Sequence, residues 1–388
     1  MNKTLRRALT TSAVATTALT LVGAAAFAAG DPYLAADTQS HAATIGGAGS
    51  TFAGPLQNVA APAYGARNPN ATINAYQLVG SGTGIKDIST NVPGVNWGGT
   101  DVPMQASDLA TNHVSAPLSS FLQIPIGLGG EAISYNIPKF PSKTHIKLNA
   151  AVLAGIYKGT ITTWNNSAIA ALNKGVKLPN HKIVVVARAD KSGTTYIYTD
   201  FLHTAAPSVW TTAPSKNPPT LPSGGLAGSG NPGVAADIAS TQYSIGYVEY
   251  SYVLLNPKLA NGVAAILNKN KVYVLPTTAG IQADASLKPT ISATNFSIVY
   301  QTGAKSYPIA GYTWAIVWKK QTNDATGTLL VKYLDWLSHT GTTSSPAGQH
   351  FAAEQGYVAL PTNIQALART TLLQVRGTKN QVLLTTHA

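Results

Sequence analysis

The chain of 388 residues contains no cysteine and has a formal charge of +12, although only 10% of its residues are charged. The lack of cysteine excludes disulfides, thiolate metal sites and a cysteine nucleophile. Its eight histidines are scattered, without the close spacing that zinc sites usually show, so we expect no metal and no other cofactor. The lysines and arginines are dispersed rather than clustered, so we expect no nucleic-acid partner.

Residues 1–28 have the pattern of a secretory signal peptide. Lys3, Arg6 and Arg7 precede an uncharged run, and Ala26 and Ala28 are the small residues that a cleavage site requires. The run is short and rich in threonine, which favours a cleaved signal over a membrane anchor. No cysteine follows it, as one would in a bacterial lipoprotein. The sequence therefore predicts a secreted protein of the periplasm or cell-wall space that is not lipid-anchored.

Residues 29–43 are predicted to be a disordered leader, with the folded part beginning near Thr44. The signal peptide contains three basic residues and no acidic one, so a net charge of +9 remains after its removal. A net charge of this size favours an anionic cell wall or a small anion as the partner.

Downstream, short apolar runs alternate with helix-like segments. A strand is predicted over 71–79 before a helix over 84–88, and another over 182–187 before a helix over 196–202. This repetition predicts an α/β fold with a mostly parallel sheet. The segment 214–233 is rich in Pro, Gly and Ser, which predicts a long surface loop before a helix.

Two strand-like stretches, 121–138 and 307–320, could carry the chain between two lobes. In that case residues 44–128 and 312–388 form lobe 1, residues 129–311 form lobe 2, and the ligand occupies the cleft between them. Either stretch could instead be an ordinary core strand, and the pattern alone leaves both interpretations open.

Three segments share one design, in which a strand ends in a Gly/Ser/Thr turn that opens a helix. They are GGAGSTFAGPLQNVA from Gly46, LVGSGTGIKDI from Leu78, and RADKSGTTYIYTDFL from Arg188. The first N–H groups of a helix lack intrahelical acceptors and lie at its positive end, so they bind anions. Each turn alone is also typical of an ordinary helix cap. The sequence contains neither a GxxxxGK[ST] phosphate loop nor a GxSxG nucleophile turn.

Read together, four motifs resemble the phosphate-binding proteins of the bacterial Pst ABC transporter. GAGSTF, GSGTG, GGTD and RADKSGTT follow in the order and approximate spacing of that family, and the resemblance covers nearly all of the mature chain. It implies a two-lobed type II periplasmic-binding-protein fold with two hinge crossovers, which closes on inorganic phosphate. It also implies delivery of phosphate to the membrane permease of the transporter. We expect a monomer.

The resemblance also implies a set of phosphate-binding residues. Asp101 would accept a hydrogen bond from the ligand, and Arg188 would donate to the ligand while pairing with Asp101. The remaining donors and site groups would be Thr51, Phe52, Ser81, Asp190, Ser192, Gly193 and Thr194.

The chain departs from the family pattern at two positions near these motifs. Lys191 stands where a small residue is more common, which predicts an additional cation near the site. Ser50 replaces a small apolar residue, and we expect no consequence from it.

Two other functions remain open from the sequence. A secreted phosphatase using Ser81 or Ser192 would need an activating base or metal, and no metal-ligand pattern is present. A secreted or cell-wall protein that binds phosphate or adheres to the wall, without coupling to transport, would also suit the positive charge.

Overall fold

The computed structural model describes residues 43–141, 144–259 and 262–384. The predicted signal peptide and nearly all of the predicted leader lie outside these residues. The strands are β1 Ala43–Ile45, β2 Gly47–Gly49, β3 Ala71–Ile73, β4 Gln77–Leu78, β5 Trp97–Thr100, β6 Phe121–Asn136, β7 Lys147–Leu148, β8 Val184–Arg188, β9 Leu226–Gly228, β10 Ser244–Glu249, β11 Ala265–Leu267, β12 Tyr273–Val274 and β13 Ala310–Trp318. The helices are α1 Gly54–Arg67, α2 Ser81–Ser89, α3 Ala106–Thr111, α4 Ala150–Tyr157, α5 Ser167–Leu172, α6 Gly193–Ala205, α7 Gly230–Ser240, α8 Tyr250–Leu254, α9 Thr278–Ser286, α10 Asp324–Ser338, α11 Gly348–Glu354 and α12 Thr362–Leu372.

An eight-stranded sheet runs through the molecule in the order β4-β2-β5-β13-β6-β10-β8-β9. Its two flanks, β4-β2-β5 and β10-β8-β9, are parallel. The three pairings at its centre are antiparallel. The predicted parallel sheet is therefore found in the flanks, whereas the centre is antiparallel because β6 and β13 run in opposite directions.

The strands β6 and β13 lie in the two stretches, 121–138 and 307–320, for which the sequence left open crossovers or ordinary core strands. They pair with each other over the whole length of β13, from Ala310 opposite Gly130 to Trp318 opposite Phe121. The predicted lobe limits fall beside Gly129 and Gly311, which are partners in this pairing. We keep the names lobe 1 for residues 43–128 with 312–384 and lobe 2 for 129–311. These limits stay a prediction.

Two predicted segments differ from the structure in their details. The predicted strand over 71–79 is divided into β3, which pairs with β1, and β4, which pairs with β2. Between them Tyr76 turns inward and stacks on Trp97 at 6.4 Å, which takes the chain from one sheet to the other. The predicted loop over 214–233 contains β9 and the first turn of α7.

Aromatic side chains fill the core between the central sheet and the helices α1 and α10. Trp97 of β5 packs against Tyr333 of α10 at 5.4 Å, and Tyr64 of α1 meets Trp336 of α10 at 5.3 Å. Each of these rings is at most 2% exposed, so each contributes the large apolar burial that stabilises a domain. No helix in the part of the chain that the structure describes is long and apolar enough to span a membrane.

Asp284 of α9 is a buried carboxyl group that opposes stability at neutral pH. Burial raises its pKa to about 8, and the hydrogen bond from the backbone of Gln301 opposes this shift only in part. The folded protein therefore holds a proton that the unfolded chain releases near pH 4, so this group destabilises the fold progressively as the pH rises from about 4 to about 8.

We expect Asp284→Asn to raise the free energy of unfolding at pH 7.5 by about 1–3 kcal/mol, because the amide removes the cost of keeping a carboxyl group protonated. The gain should vanish below about pH 3, where the wild-type group is protonated in both the folded and the unfolded state. Urea unfolding at the two pH values measures the difference. Asp237→Asn, on the surface of α7, serves as the control and should give no such dependence. An equal effect of Asp284→Asn at both pH values would contradict the assignment.

Candidate functional site

The predicted site residues follow the carboxyl ends of the parallel strands in both flanks. This edge is where open α/β sheets bind ligands. Thr51 and Phe52 follow β2, Ser81 follows β4, Asp101 follows β5, and Arg188 and the segment 190–194 end β8 and open α6. The structure therefore brings segments of both lobes to one place, as the motifs predicted.

Asp101 is the carboxylate at the centre of this place and is 2% exposed. The hydroxyl of Ser50 donates to its Oδ1 at 2.5 Å, and the hydroxyl of Ser81 donates to its Oδ2 at 3.3 Å. Burial raises the pKa of Asp101 to about 6, while the bond from Ser50 and the charge of Arg188 act in the opposite direction. Asp101 is thus ionised near neutral pH yet poorly solvated, and it can accept a further hydrogen bond.

Arg188 forms a two-bond ion pair with Asp190. Nε donates to Oδ1 at 2.8 Å and Nη2 to Oδ2 at 2.5 Å, and the arginine side chain is 1% exposed. Burial alone would raise the pKa of Asp190, but the hydrogen bonds and charge of Arg188 outweigh it and lower this pKa. Asp190 also accepts from the backbone N–H of Gly230 at 3.0 Å. The carboxylate is therefore ionised and fixes the plane of the guanidinium.

The predicted pairing of Arg188 with Asp101 is wrong, because the ion-pair partner of Arg188 is Asp190. Arg188 and Asp190 are separated by one position in the turn, so the carboxylate of Asp190 meets the guanidinium of Arg188 edge on. Asp101 instead accepts hydrogen bonds from the hydroxyls of Ser50 and Ser81, and Arg188 acts on its pKa through its charge.

The first turn of α6 contributes the next group of donors. Ser192 caps the helix by accepting from the N–H of Thr195 at 3.2 Å, so its hydroxyl hydrogen can still be donated. The hydroxyl oxygen of Thr194 accepts from Nη1 of Arg188 at 3.1 Å, so its hydroxyl hydrogen can also be donated. Together with the positive end of the helix, these groups favour an anion.

Hydrogen bonds join the two lobes around these groups. The N–H of Gly193 donates to Ser81 Oγ at 3.1 Å, and the N–H of Gly82 donates to the carbonyl of Lys191 at 3.0 Å. Two further bonds reach Thr51, from the N–H of Asn231 to its Oγ1 at 3.0 Å and from the hydroxyl of Tyr252 to its carbonyl at 2.7 Å. The lobes are therefore closed on each other, with the predicted residues at the contact.

Phe52 contributes to this place through its backbone. Its N–H donates to Ser50 Oγ at 3.0 Å, and its carbonyl accepts from the hydroxyl of Tyr357. The ring is buried and meets the ring of Tyr357 at 6.1 Å. The aromatic side chain thus anchors the turn in the core of lobe 1.

Several residues at the site were missed from the sequence. Ser50, expected to have no consequence, makes the shortest bond to Asp101. Asn231 is fully buried, and its amide donates to Thr51 and Thr194 at 3.1 and 3.2 Å. Asn231 lies at the start of α7 in the sequence GSGNPG, which resembles the Gly/Ser helix starts of the other motifs. This similarity could have identified it from the sequence as a site residue.

Lys191 is exposed, and its backbone carbonyl accepts a hydrogen bond from the N–H of Gly82 in lobe 1. The additional positive charge that the sequence predicted is therefore that of an exposed lysine side chain at the rim of the cleft. Its Cβ packs directly over Gly82, where an added Cβ would lie at 2.4 Å.

Two glycines are required for this closed arrangement. Gly80 has φ +85°, in the left-handed region that favours glycine, and an added Cβ would lie 2.1 Å from Oδ2 of Asp190. At Gly193 an added Cβ would lie 2.5 Å from Cβ of Asp101 and 2.8 Å from its backbone nitrogen. No side chain fits between the two lobes at either position.

The comparisons with known proteins agree with this architecture. The model of the PBP superfamily domain matches residues 35–340. The phosphate-binding protein PstS of Pasteurella multocida is 32% identical over 327 residues, covering 84% of this chain and 88% of that protein. PstS of Xylella fastidiosa is 33% identical over 330 residues, with 84% of each chain covered. The structure of the periplasmic phosphate-binding protein PfluDING, bound with phosphate, aligns with a TM-score of 0.67 at 23% identity, covering 84% of this chain and 93% of that one.

The fold is thus that of a two-lobed periplasmic binding protein of type II, with the cleft between the lobes and two strands as the crossovers. The chain belongs to the PBP superfamily and, within it, to the family of PstS phosphate-binding proteins.

We expect Gly193→Ala to hold the two lobes apart, because the added methyl group collides with backbone and side-chain atoms of Asp101 that are fixed by β5. Small-angle scattering should show a larger radius of gyration than that of the wild type, with little change in the secondary structure seen by circular dichroism. Gly65→Ala is the control, since an added Cβ at Gly65 meets nothing within 4 Å. An unchanged radius for Gly193→Ala would show that α6 can shift without opening the cleft.

Proposed function

We propose that this protein captures inorganic phosphate in the cleft between its lobes and delivers it to the permease of a phosphate ABC transporter. It acts outside the cytoplasm, in the periplasm or the cell-wall space, as a monomer. The observation that carries the proposal is the convergence of helix starts from both lobes around one buried arginine and one buried carboxylate. Membership of the PstS family supports the ligand and the transporter as partner.

The proposed site consists of donors and one acceptor, which suits binding without chemistry. Arg188 supplies the positive charge, and the openings of α1, α2 and α6 supply N–H and hydroxyl donors to the phosphate oxygens. The residues in these roles are Thr51, Phe52, Ser81, Arg188, Asp190, Ser192, Gly193 and Thr194. Asp190 acts by keeping Arg188 in place. We infer that the protein is not an enzyme, as its family is one of binding proteins for transport.

Asp101 gives the site its selectivity. Phosphate near neutral pH carries at least one proton, which can be donated to a carboxylate, whereas sulfate carries none and is repelled. The cost of bringing an unprotonated oxygen against a buried carboxylate is on the order of 1–3 kcal/mol or more, because the carboxylate cannot be resolvated there. Since about 1.4 kcal/mol corresponds to a factor of ten, the selectivity for phosphate over sulfate should reach about one to two powers of ten or more.

Calorimetric titration of the phosphate-stripped protein tests the function, and we expect binding of phosphate and arsenate with little binding of sulfate. Arg188→Ala should weaken phosphate binding by roughly 100-fold or more, since it removes charged hydrogen bonds and leaves Asp190 unpaired beside the anion. Arg376→Ala, in the C-terminal segment of lobe 1, is the control and should bind as the wild type does. Absence of phosphate binding by the wild type would refute the proposal.

Asp101→Asn should lower the ratio of phosphate to sulfate affinity by at least about tenfold, because an amide can turn a donor toward sulfate. It should reduce phosphate affinity by less than it changes this ratio. Competitive titration of the two anions measures the effect.

The same carboxylate predicts a dependence on pH. Below about pH 6 the wild-type Asp101 becomes protonated and stops repelling sulfate, so the ratio should fall as the pH is lowered through this value. In Asp101→Asn the ratio should change much less over the same range. A wild-type ratio that stays constant from pH 7.5 to pH 5 would place the selectivity elsewhere in the cleft.

A further inference from the structure

An ion pair joins the two lobes outside the group of residues that surround the proposed ligand. Nζ of Lys216, in the loop between α6 and β9 of lobe 2, lies 2.6 and 2.7 Å from the two carboxylate oxygens of Asp108, in α3 of lobe 1. The two side chains are 15% and 18% exposed. Because the pair is largely shielded from water, it is stronger than an exposed surface pair of the same length.

The end of this pair in lobe 1 is held in place before the lobes meet. The N–H of Gln105 donates to Oδ2 of Asp108 at 2.9 Å, in a capping box at the start of α3. The backbone of Gln105 precedes this helix in the segment that follows Asp101 and β5. The carboxylate is thus presented in one orientation by lobe 1 alone.

The end in lobe 2 is attached to the helix start that carries the proposed phosphate donors. The carbonyl of Lys216 accepts from the N–H of Ser192 at 2.8 Å. The neighbouring residue, Ser215, donates from its N–H to Oγ1 of Thr199 in α6 at 3.1 Å. The side chain of Lys216 therefore forms an ion pair with lobe 1, while its backbone carbonyl is hydrogen-bonded to the residue that caps α6.

These contacts place the ion pair and the proposed site on the same rigid segment. Ser192 is followed by Gly193, whose N–H reaches Ser81 of lobe 1. A movement of Lys216 away from Asp108 would therefore be transmitted directly to the first turn of α6. The reverse also holds, since opening of the cleft at Gly193 must separate Lys216 from Asp108.

We propose that Lys216 and Asp108 form a latch between the lobes that sets the rate at which the closed protein opens and releases its ligand. The proposal rests on the proposed function for the identity of the ligand, although the latch itself is a property of the two lobes. Neither residue belongs to the group that surrounds the anion. Both are positioning residues that stabilise the closed state only.

This role has a kinetic signature. An interaction that forms after the lobes meet slows opening and leaves the encounter with the ligand unchanged, so its loss should appear in the dissociation rate. It should act equally on phosphate and on any weaker anion, because it does not touch the ligand. Salt should weaken it, since the pair is partly accessible to solvent.

The absence of cysteine in the sequence allows a direct measurement. Cysteines introduced at the exposed positions Thr90, directly after α2, and Ala171 of α5 accept a donor and an acceptor dye, one on each lobe. Single-molecule energy transfer then reports the open and closed populations without ligand. Stopped-flow energy transfer, on dilution of the loaded protein into an excess of unlabelled protein, reports the dissociation rate of phosphate.

Lys216→Met and Asp108→Asn are the test variants in this labelled protein. The methionine keeps the backbone carbonyl that holds Ser192, and the asparagine keeps an acceptor for the N–H of Gln105. Lys158→Met is the matched control, because Nζ of Lys158 donates at 2.7 Å to the carbonyl of Val209 in the same loop and makes its contact within lobe 2. All three variants remove one charge.

We expect Lys216→Met and Asp108→Asn each to raise the dissociation rate of phosphate about three- to tenfold, with the association rate changed less than twofold. The double variant should be no faster than either single variant, since each already breaks the pair. The ratio of phosphate to sulfate affinity should stay as in the wild type, and the differences should shrink in 1 M sodium chloride.

Other results would overturn the latch. Dissociation rates equal to that of Lys158→Met, or additive effects in the double variant, would show that the pair does not control opening. If the wild type fails to bind phosphate, the proposed function is wrong. The latch is then tested by the fractions of open and closed protein measured without ligand. In that case a closed fraction that is the same in Lys216→Met and wild type would refute it.

Discussion

Arg188 carries a full positive charge with almost no access to water, and both oxygens of Asp190 hold its guanidinium in one plane. An unpaired charge at this depth would cost several kcal/mol, so the fold depends on this pairing. The pair also organises its surroundings, because Arg188 ends β8, Thr194 in α6 accepts one of its hydrogens, and Gly230 at the start of α7 donates to Asp190. One ion pair thus fixes two helix starts relative to a strand.

The second charged group of the cleft is arranged in a different way. Asp101 has hydroxyl partners in place of a cation, which leaves it ionised near neutral pH at the cost of a raised pKa. Its neighbours Ser50 and Ser81 belong to lobe 1, and the backbone of Gly193 from lobe 2 packs against it with no room for a side chain. The acceptor and the cationic donor are therefore supplied by different lobes, so both act on one ligand only when the lobes are closed.

Local motifs predicted the parts of the site that lie within one turn of chain. The helix start at Ser192, Gly193 and Thr194, and the strand before it, could be predicted because capping residues and an apolar run follow each other directly. The stretches 121–138 and 307–320 were predicted as strands, and they contain β6 and β13, which pair with each other. The assignment of all nine residues as phosphate ligands remains a prediction.

Contacts between distant segments could not be predicted in the same way. In the sequence, both Asp101 and Asp190 are possible partners of Arg188. The geometry of the turn places the carboxylate of Asp190 edge on to the guanidinium, and this geometry cannot be read from the sequence. The bond from Asn231 to Thr51 spans 180 positions, and that from Tyr252 spans 201. An asparagine or tyrosine carries no pattern that identifies such a partner. Ser50 was undervalued for the same reason, since its acceptor is 51 positions away.

The order of strands in the central sheet has a consequence for how the chain folds. The strand β13 lies between β5 and β6, so the two central strands of lobe 1 have no common partner until residues 310–318 have been made. Lobe 2 is one unbroken stretch of chain and is complete by then, whereas lobe 1 is built from both ends of the protein. Closing so long a loop is slow, and the edges of β5 and β6 stay exposed meanwhile. Because β13 is synthesised late, lobe 1 should be the last part to form and the part most prone to aggregation during folding.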